Sequence, residues 1–382
     1  MDEAPGKSAD NPEATAERKF PCPSCRAPLA FSPQSGVLSC PYCGWKDQIP
    51  ETALDVVENS FEQYLSVNNA ELKPLAHEAL EVACSGCGSL VAFIPPDIAG
   101  ICTFCGAAII AEPHQADPVL APQGVLPFAI TRDQALAATK DWIAKRWFAP
   151  NALRRFALAK VIQGTYLPFW TYDAHSDSFY EGQRGVHYYE TQTYQQRNAQ
   201  GGMETRTRQI RRTRWSSVEG HVALWFDDVL IAGSASVGRN HLDALEPWDL
   251  KALQPYSDKL LAGFRAQRAQ IDVKQGFGIA KGIMEVQIRT AVCRDIGGDE
   301  QRINNLNTSY AAITFKHILL PVYIGAFTFQ SKVYQVLVNA RTGEVQGSRP
   351  YSWVKIGLAA ILSLAVIIAA FMVLRTSNAL PQ

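Results

Sequence analysis

Two Cys-x-x-Cys pairs with fourteen residues between them, "CPSCRAPLAFSPQSGVLSCPYC" from Cys22 to Cys43, return with the same separation from Cys84 to Cys105. This spacing constrains the chain more than any other feature. Two thiols on one tight turn can meet one ion, and two such turns complete a tetrahedral shell. Eight of the nine cysteines lie in the pairs Cys22/Cys25, Cys40/Cys43, Cys84/Cys87 and Cys102/Cys105, and Cys293 is left over. Glycine follows Cys43, Cys87 and Cys105, where the turn can require positive φ, whereas Arg26 follows Cys25. Each module has about thirty residues, too few for a self-sufficient core. Zinc, worth roughly 10–16 kcal/mol in small peptides, supplies the missing stability. Disulfides suit exported domains, and redox pairs usually occur singly beside a βαβ pattern, which is absent here. The expectation is two structural Zn2+ ions, one held by Cys22, Cys25, Cys40 and Cys43 and one by Cys84, Cys87, Cys102 and Cys105. Four thiolates close each shell and leave no position for an activated water.

The other end of the chain carries a different constraint. Ile356 to Leu374, "IGLAAILSLAVIIAAFMVL", is nineteen residues without a charge. As a helix it reaches about 28 Å, the thickness of a bilayer's hydrocarbon layer. Tyr351 and Trp353 precede it, where aromatic rings favour the interface. Arg341, Arg349 and Lys355 stand on its N-terminal side and Arg375 alone beyond it, which orients the N-terminal part toward the cytoplasm. The first twenty residues lack the apolar run of a secretory signal, and reduced, metal-bound thiols suit the cytosol. A single-pass, tail-anchored protein of the cytoplasmic membrane is expected, with the lipid bilayer as one partner.

Between these ends the chain divides by composition. Residues 1–19 read as a disordered tail, 20–50 as zinc ribbon 1, 51–81 as a helical linker and 82–112 as zinc ribbon 2. Residues 113–124 read as a Pro-rich linker, 125–350 as an α+β body with antiparallel meanders and 354–375 as the transmembrane anchor. In the first linker Leu54, Val57, Phe61, Tyr64 and Leu65 recur at helical spacing. Thr131 and Gln134 make a capping box before a helix bearing Leu136, Ile143 and Trp147, stopped by Pro150. Strands are expected in residues 164–174, 186–195, 205–215, 220–233, 315–327, 332–340 and 343–347. Helices are expected in "LEPWDLKAL" and "KLLAGFRAQRAQ", and "LPFW" at Leu167 with "LPVY" at Leu320 hints at a duplication.

Charge narrows the functional classes. Lys plus Arg and Asp plus Glu both count 36, so no global field recruits nucleic acid. Ribbon 2 contains Asp97 and Glu112 but no Lys or Arg, and its apolar segments favour protein contact or docking on the chain's own body. Residues 195–215 hold six Arg and one Glu. Arg206, Arg208, Arg212 and Arg214 alternate with Thr205, Thr207, Gln209 and Thr213, so the four guanidiniums share one strand face. With Gly201 and Gly202 at the tip, this hairpin reads as a solvent-facing arm. Its charges either keep an edge soluble or meet anionic lipid heads or an acidic partner.

A search for catalysis finds no G-x-x-x-x-G-K-[ST], G-x-S-x-G or H-E-x-x-H motif. Asp227 and Asp228 are neighbours on a strand and should point to opposite faces. Cys293 and His317 could pair as nucleophile and base but read as packing residues, and His175, His187 and His221 show no ligand spacing. Neither an enzyme nor a small-molecule substrate is expected.

"RWFAPN" (146–151), "LPFWTYDA" (167–174), "TRW" (213–215), "FDDVL" (226–230), "LEPWDL" (245–250), "RDIGGDEQRI" (294–303) and "FKHILLPVY" (315–323), with the ribbons and the anchor, resemble bacterial membrane proteins carrying a transcription factor IIB-type zinc ribbon. Some members are labelled primosomal protein N′ or replication factor Y helicase, and relatives are linked to phage-shock-type membrane-stress proteins. The resemblance implies a cytoplasm-facing scaffold and no catalytic residue. The leading expectation is therefore a non-enzymatic, membrane-anchored zinc-ribbon adaptor that binds protein partners. The alternative is a nucleic-acid-binding protein at the membrane, without helicase activity of its own.

Overall fold

From Tyr172 onward, Tyr172, Ala174, Ser176, Ser178 and Tyr180 are buried and alternate with residues that are not. This is the period-two signature of a strand with one face on a core. The computed structural model describes residues 20–49, 56–66, 80–84, 90–93, 99–102, 104, 108–110, 114–115, 120–150, 162–197, 202–330 and 332–377. Ribbon 1 holds β1 (Ala30–Ser32), β2 (Val37–Ser39) and β3 (Lys46–Gln48), followed by β4 (Asn59–Ser60) and α1 (Phe61–Ser66). Around ribbon 2 lie β5 (Leu80–Ala83), β6 (Leu90–Phe93), β7 (Ala99–Ile101), β8 (Ala108–Ile110) and β9 (His114–Gln115). The body begins with β10 (Gly124–Val125), α2 (Arg132–Ala144), β11 (Gln163–Arg197), β12 (Met203–Ala232), α3 (Arg239–Asp243), β13 (Gln254–Pro255) and β14 (Arg265–Ala266). It continues with α4 (Val273–Ile296), β15 (Glu300–Phe329), β16 (Lys332–Asn339) and β17 (Val345–Gly347), and α5 (Trp353–Ser377) closes the chain. The fold is α+β and mainly antiparallel.

The strands expected at residues 164–174 and 186–195 are one strand, β11, and those at 205–215 and 220–233 are one strand, β12. β11 pairs with β12 from Phe169↔Ala232 to Arg197↔Met203, and with β15 from Gln163↔Ile324 to Gly185↔Glu300. At about 3.3 Å per residue, the 35 residues of β11 follow a path of about 115 Å. Three zones result: a base, a three-stranded shaft, and beyond Gly185 a two-stranded arm. At the base β15 also carries β4, β10 and β16 on its other edge. Leu167 and Pro168 lie opposite Leu320 and Leu319, so the two Leu-Pro motifs are cross-strand neighbours.

The base sheet is covered on both faces. One face joins Val125, Phe128, Tyr166, Leu319 and Tyr323 to α2 and to Leu29, Phe31 and Leu38 of ribbon 1. The other joins Leu126, Leu167, Phe169, Ile318, Leu320 and Trp248 to Cys84, Cys102 and Phe104. Ribbon 1 and the described residues Cys84, Cys102 and Phe104 therefore lie on opposite faces of the base. Ribbon 1 is also fastened by the Phe31 N–H donating to Ala262 O at 3.0 Å and by Lys259 with Asp47 at 2.9 Å.

Along the shaft only one face is covered, by α4. Asp272 and Gln275 form its capping box, and Val273, Phe277, Ala280, Met284, Ile288, Val292 and Ile296 form one buried ridge. This helix is not among the elements expected from sequence. In its first turns, "GFGIAKG", Gly276 packs on Tyr172, whose hydroxyl lies only 2.3 Å from where a Cβ would stand, while Gly278 and Gly282 face open space. Two expected helices are corrected. "LEPWDLKAL" is interrupted by Pro247 and yields only a short turn at Leu250–Ala252. "KLLAGFRAQRAQ" forms a turn at Asp258–Leu261, bends at Gly263 (φ 82°) beneath Ala30 of ribbon 1, and pairs as β14 with β11. Among the described residues the linker helix is α1, with Phe61 buried and Val57 and Leu65 exposed. Leu54 lies outside the described residues. The capping box of α2 is present, but Trp147 falls beyond the helix and is exposed.

Met284 is fully buried at mid-ridge, so Met284→Ala is expected to lower stability by about 2–5 kcal/mol in urea unfolding. Val286→Ala, on the exposed side of α4, should be near neutral.

Candidate metal centre and its surroundings

Ribbon 1 folds its two knuckles toward each other across β1 and β2. Cys22 Sγ lies 3.5 Å from Cys43 Sγ, and Cys25 Sγ 3.4 Å from Cys40 Sγ. All four sulfurs fall within 4.8 Å of one another. A tetrahedral zinc with bonds of about 2.3 Å holds sulfurs about 3.8 Å apart, so the set fits a metal ion closely. The Arg26 N–H donates to Cys22 O at 2.8 Å and the Gly44 N–H to Cys40 O at 3.0 Å. Both residues have positive φ, 61° and 73°, so the knuckles are alike although Arg stands where Gly is expected. Cys22 and Cys40 are buried, and Cys25 and Cys43 are exposed.

The thiols are already electrostatically uneven. The Cys43 N–H, opposed by burial and helped by the Tyr42 N–H, brings Cys40 down to about 6. The Ala27 N–H pulls on Cys25, yet sharing protons with Cys40, partial burial and the other two thiols push it up to about 12. A divalent ion would take all four as thiolates and supply a closed structural cross-link. In ribbon 2, Cys84 and Cys102 are buried in the base, while Cys87 and Cys105 lie outside the described residues. Among the described residues the four-cysteine cluster is that of ribbon 1.

The arm carries its arginines as the alternation requires. Arg206, Arg208, Arg212 and Arg214 stand opposite Tyr194, Gln192, Tyr188 and Val186, all exposed. The Arg208 guanidinium lies 5.5 Å over Tyr194 and that of Arg214 lies 5.3 Å over Tyr188. Arg212 meets Glu190, and Arg206 meets Glu204, each at 3.2 Å. Gly202 precedes β12, and Gly201 lies outside the described residues.

The expectation for Asp227 and Asp228 is overturned by a β-bulge. Tyr172 pairs with Val229 but Ala174 with Phe226, so Asp173 alone faces both aspartates, and Asp228 turns to φ 50°. The three carboxylates come within 4.8 Å of one another. Lys316 Nζ lies 2.9 Å from Asp228 Oδ1 and 3.0 Å from Glu58 Oε1. Thr314 Oγ1 lies 2.8 Å from Glu58 Oε2 and 3.1 Å from Asp173 Oδ2. A cavity of about 420 Å³ opens beside them, lined by Val56, Thr171 and Lys251 among others. Burial pushes Asp173 up to about 6 against the pull of the Asp228 N–H, with the Glu58 charge adding to the rise. Lys316 is lowered by burial, but its carboxylate partners outweigh this and hold it above the ordinary lysine value. With its oxygens engaged by Lys316, Thr314 and a backbone N–H, the cluster fastens residues 56–60 to the shaft. No sequence spacing could announce it, because Glu58 and Lys316 lie 258 residues apart.

The other candidates separate. His317 is buried against Trp170, its Nδ1 is 2.8 Å from Leu120 O, and burial brings its pKa down to about 4. Trp170 in turn donates to Ile271 O just before α4. Cys293 lies twenty residues, about 30 Å, further along that helix. The two do not meet. His175 and His221, which lack ligand spacing, share Asp177 at 3.2 and 3.0 Å, and His187 meets Glu300 at 2.7 Å.

The molecule is thus an α+β protein with a four-cysteine cluster able to hold a metal ion. Among the described residues it has one helix, Trp353–Met372, long and apolar enough to cross a membrane, and none of that stretch is buried. It is similar to a Bacillus subtilis (strain 168) protein described as "Uncharacterized protein YdjG", 25% identical over 336 residues, covering 87% of this chain and 90% of that protein. No family model matches the chain, and no solved structure matches it.

Cys25→Ser is expected to lower bound metal by one equivalent in elemental analysis and to lower the melting temperature, whereas Cys293→Ser should do neither. Asp173 gives a pH test. Its folded value of about 6 exceeds the ordinary 3.8, so the unfolded chain releases this proton first as pH rises. Wild type should therefore lose stability relative to Asp173→Asn between about pH 4 and 6, and the difference should level off above that window in unfolding titrations.

Proposed function

We propose that the chain is a membrane-anchored, cytoplasm-facing scaffold that presents its shaft and arm to protein partners, with structural zinc in both ribbons. The reading assigns it no catalysis. The excess of Arg341, Arg349 and Lys355 over Arg375 supports the orientation. The resemblance to membrane proteins with transcription factor IIB-type ribbons, and their link to membrane stress, points the same way.

The observation that carries the reading is the burial of ribbon surfaces in the base. Leu29, Phe31 and Leu38 of ribbon 1, and Cys84, Cys102 and Phe104 around ribbon 2, pack into the chain's own cores. Surfaces used in this way are not free to read a nucleic acid. The exposed arm remains, with arginine and tyrosine in register, a pairing enriched where protein interfaces concentrate their binding energy. The alternative, nucleic-acid binding at the membrane, keeps the net positive charge of the arm and the exposed Arg26, Tyr42 and Lys46 of ribbon 1. Glu190, between Arg208 and Arg212 in the ladder, disfavours a continuous line of phosphates.

The test is affinity capture from cross-linked, detergent-solubilised membranes. Full-length protein is expected to recover a defined protein partner that Arg206→Ala/Arg208→Ala/Arg212→Ala/Arg214→Ala loses while keeping its metal and its place in the membrane fraction. Nuclease treatment should leave that recovery unchanged. Recovery that is abolished by nuclease would favour the nucleic-acid reading, and identical recovery by both chains would rule out the arm.

A further inference from the structure

We infer that the turn after α2 is a second membrane contact, in which Lys145, Arg146 and Trp147 lie in the headgroup layer and engage anionic phospholipid headgroups. This rests on α5 spanning a bilayer, and it adds where the base of the molecule meets that bilayer. Three hydrogen bonds set the geometry. The Ser352 N–H donates to Phe148 O at 2.8 Å, and Lys355 Nζ donates to Trp147 O at 3.0 Å and to Ala149 O at 2.8 Å.

Lys355 is the last charge before nineteen uncharged residues, so its ammonium marks the polar edge of the hydrocarbon layer. A lysine side chain reaches roughly 6 Å, and the interfacial layer on each side of the hydrocarbon is about 5–8 Å deep. The backbone from Trp147 to Ala149 is therefore drawn into that layer.

The side chains suit it. Trp147 is 61% exposed, Tyr351 54% and Trp353 82%, three aromatic rings open to their surroundings at one end of the molecule. Indole and phenol rings of this kind partition to the headgroup level, where an apolar body and a polar tip are both satisfied. Cations are set among them. Lys145 and Arg146 are exposed, Arg146 lies 5.1 Å over Trp142, and Arg349 lies 5.2 Å over Tyr351. Alternating rings and guanidiniums match the glycerol and phosphate zones of an anionic leaflet. The turn cannot swing away freely, because Ile143 and Ala149 on either side of it are buried in the core that also holds Cys22, Cys40 and Leu38.

The test uses full-length protein in nanodiscs of phosphatidylcholine and phosphatidylglycerol, with photoreactive benzoylphenylalanine replacing Trp147, Trp353 or, on the shaft, Phe179. After irradiation, mass spectrometry is expected to find phospholipid adducts at positions 147 and 353 and none at 179. An adduct at 353 without one at 147 overturns the inference and leaves the spanning helix intact. No adduct at 353 overturns the span as well. Lys145→Glu/Arg146→Glu, both on the surface, is expected to cut the phosphatidylglycerol adduct at 147 by about fivefold without changing that at 353. An unchanged yield at 147 overturns the headgroup contact.

Discussion

A strand paired with β12 and β15 on its two edges from Phe169 to Gly185 has no freedom to choose which side chains it buries. A slip of one residue against β15 would turn Trp170, Tyr172 and Tyr180 to the other face, away from the ridge of α4. Coverage then falls in steps along β11. At the base both faces are packed, and "YLPFW" is almost wholly apolar, as a doubly covered strand must be. Through "DAHSDSFYEG" every second residue remains buried against α4. Beyond Gly185 neither face is covered, and the sequence turns to Thr, Gln, Tyr and Arg. The composition of one strand thus records how many layers pack on it.

The base and ribbon 1 depend on each other. Burying Leu29, Phe31 and Leu38 is worth about 1.5–3 kcal/mol each, which ribbon 1 could not obtain from so short a chain alone. In return the ribbon covers Leu260, Leu261 and Ala262, which would otherwise form an apolar patch on the sheet. Against this, the positive φ of Arg26 is a small cost, about 1–2 kcal/mol for a residue with a Cβ. A metal shell of four thiolates tolerates it readily.

Elements whose signals are local were legible in the sequence. The four cysteines of ribbon 1, the Thr131/Gln134 capping box, the alternating arginines of the arm and the uncharged run of α5 each lie within a short window, and each stands where its spacing put it. Elements whose logic is tertiary were not. α4 looks unlike a helix because Gly276, Gly278 and Gly282 lower its propensity, and the close approach of the Tyr172 hydroxyl at Gly276 is visible only once β11 is in place. "KLLAGFRAQRAQ" has helical composition, yet Leu260 and Leu261 are claimed by the core under ribbon 1. The joint of Glu58, Asp173, Asp228 and Lys316 gathers four distant segments, and the bulge that assembles it breaks the alternation rule from which the aspartates were read.

That joint lies where the shaft emerges from two-sided burial, and the chemistry follows from the place. The linker crosses the edge of β15 at Thr314–Phe315, sending Glu58 to one face and Phe61 to the other, where its ring meets Phe277 at 4.8 Å and Phe315 at 6.4 Å. On the Phe61 side the apolar core simply continues. On the Glu58 side the ribbon 2 core has ended, and the next side chain up the strand, Lys316, is only 11% exposed. An ammonium buried to that degree requires carboxylate partners, and leaving it unpaired would be strongly destabilising. Glu58 and Asp228 meet the requirement from opposite neighbours, one across the edge of the sheet and one from the bulge two strands away. The positive φ of Asp228 is therefore more than a local irregularity. By breaking the period of β12 it turns a second carboxylate toward a lysine that regular pairing would have left with Glu58 alone.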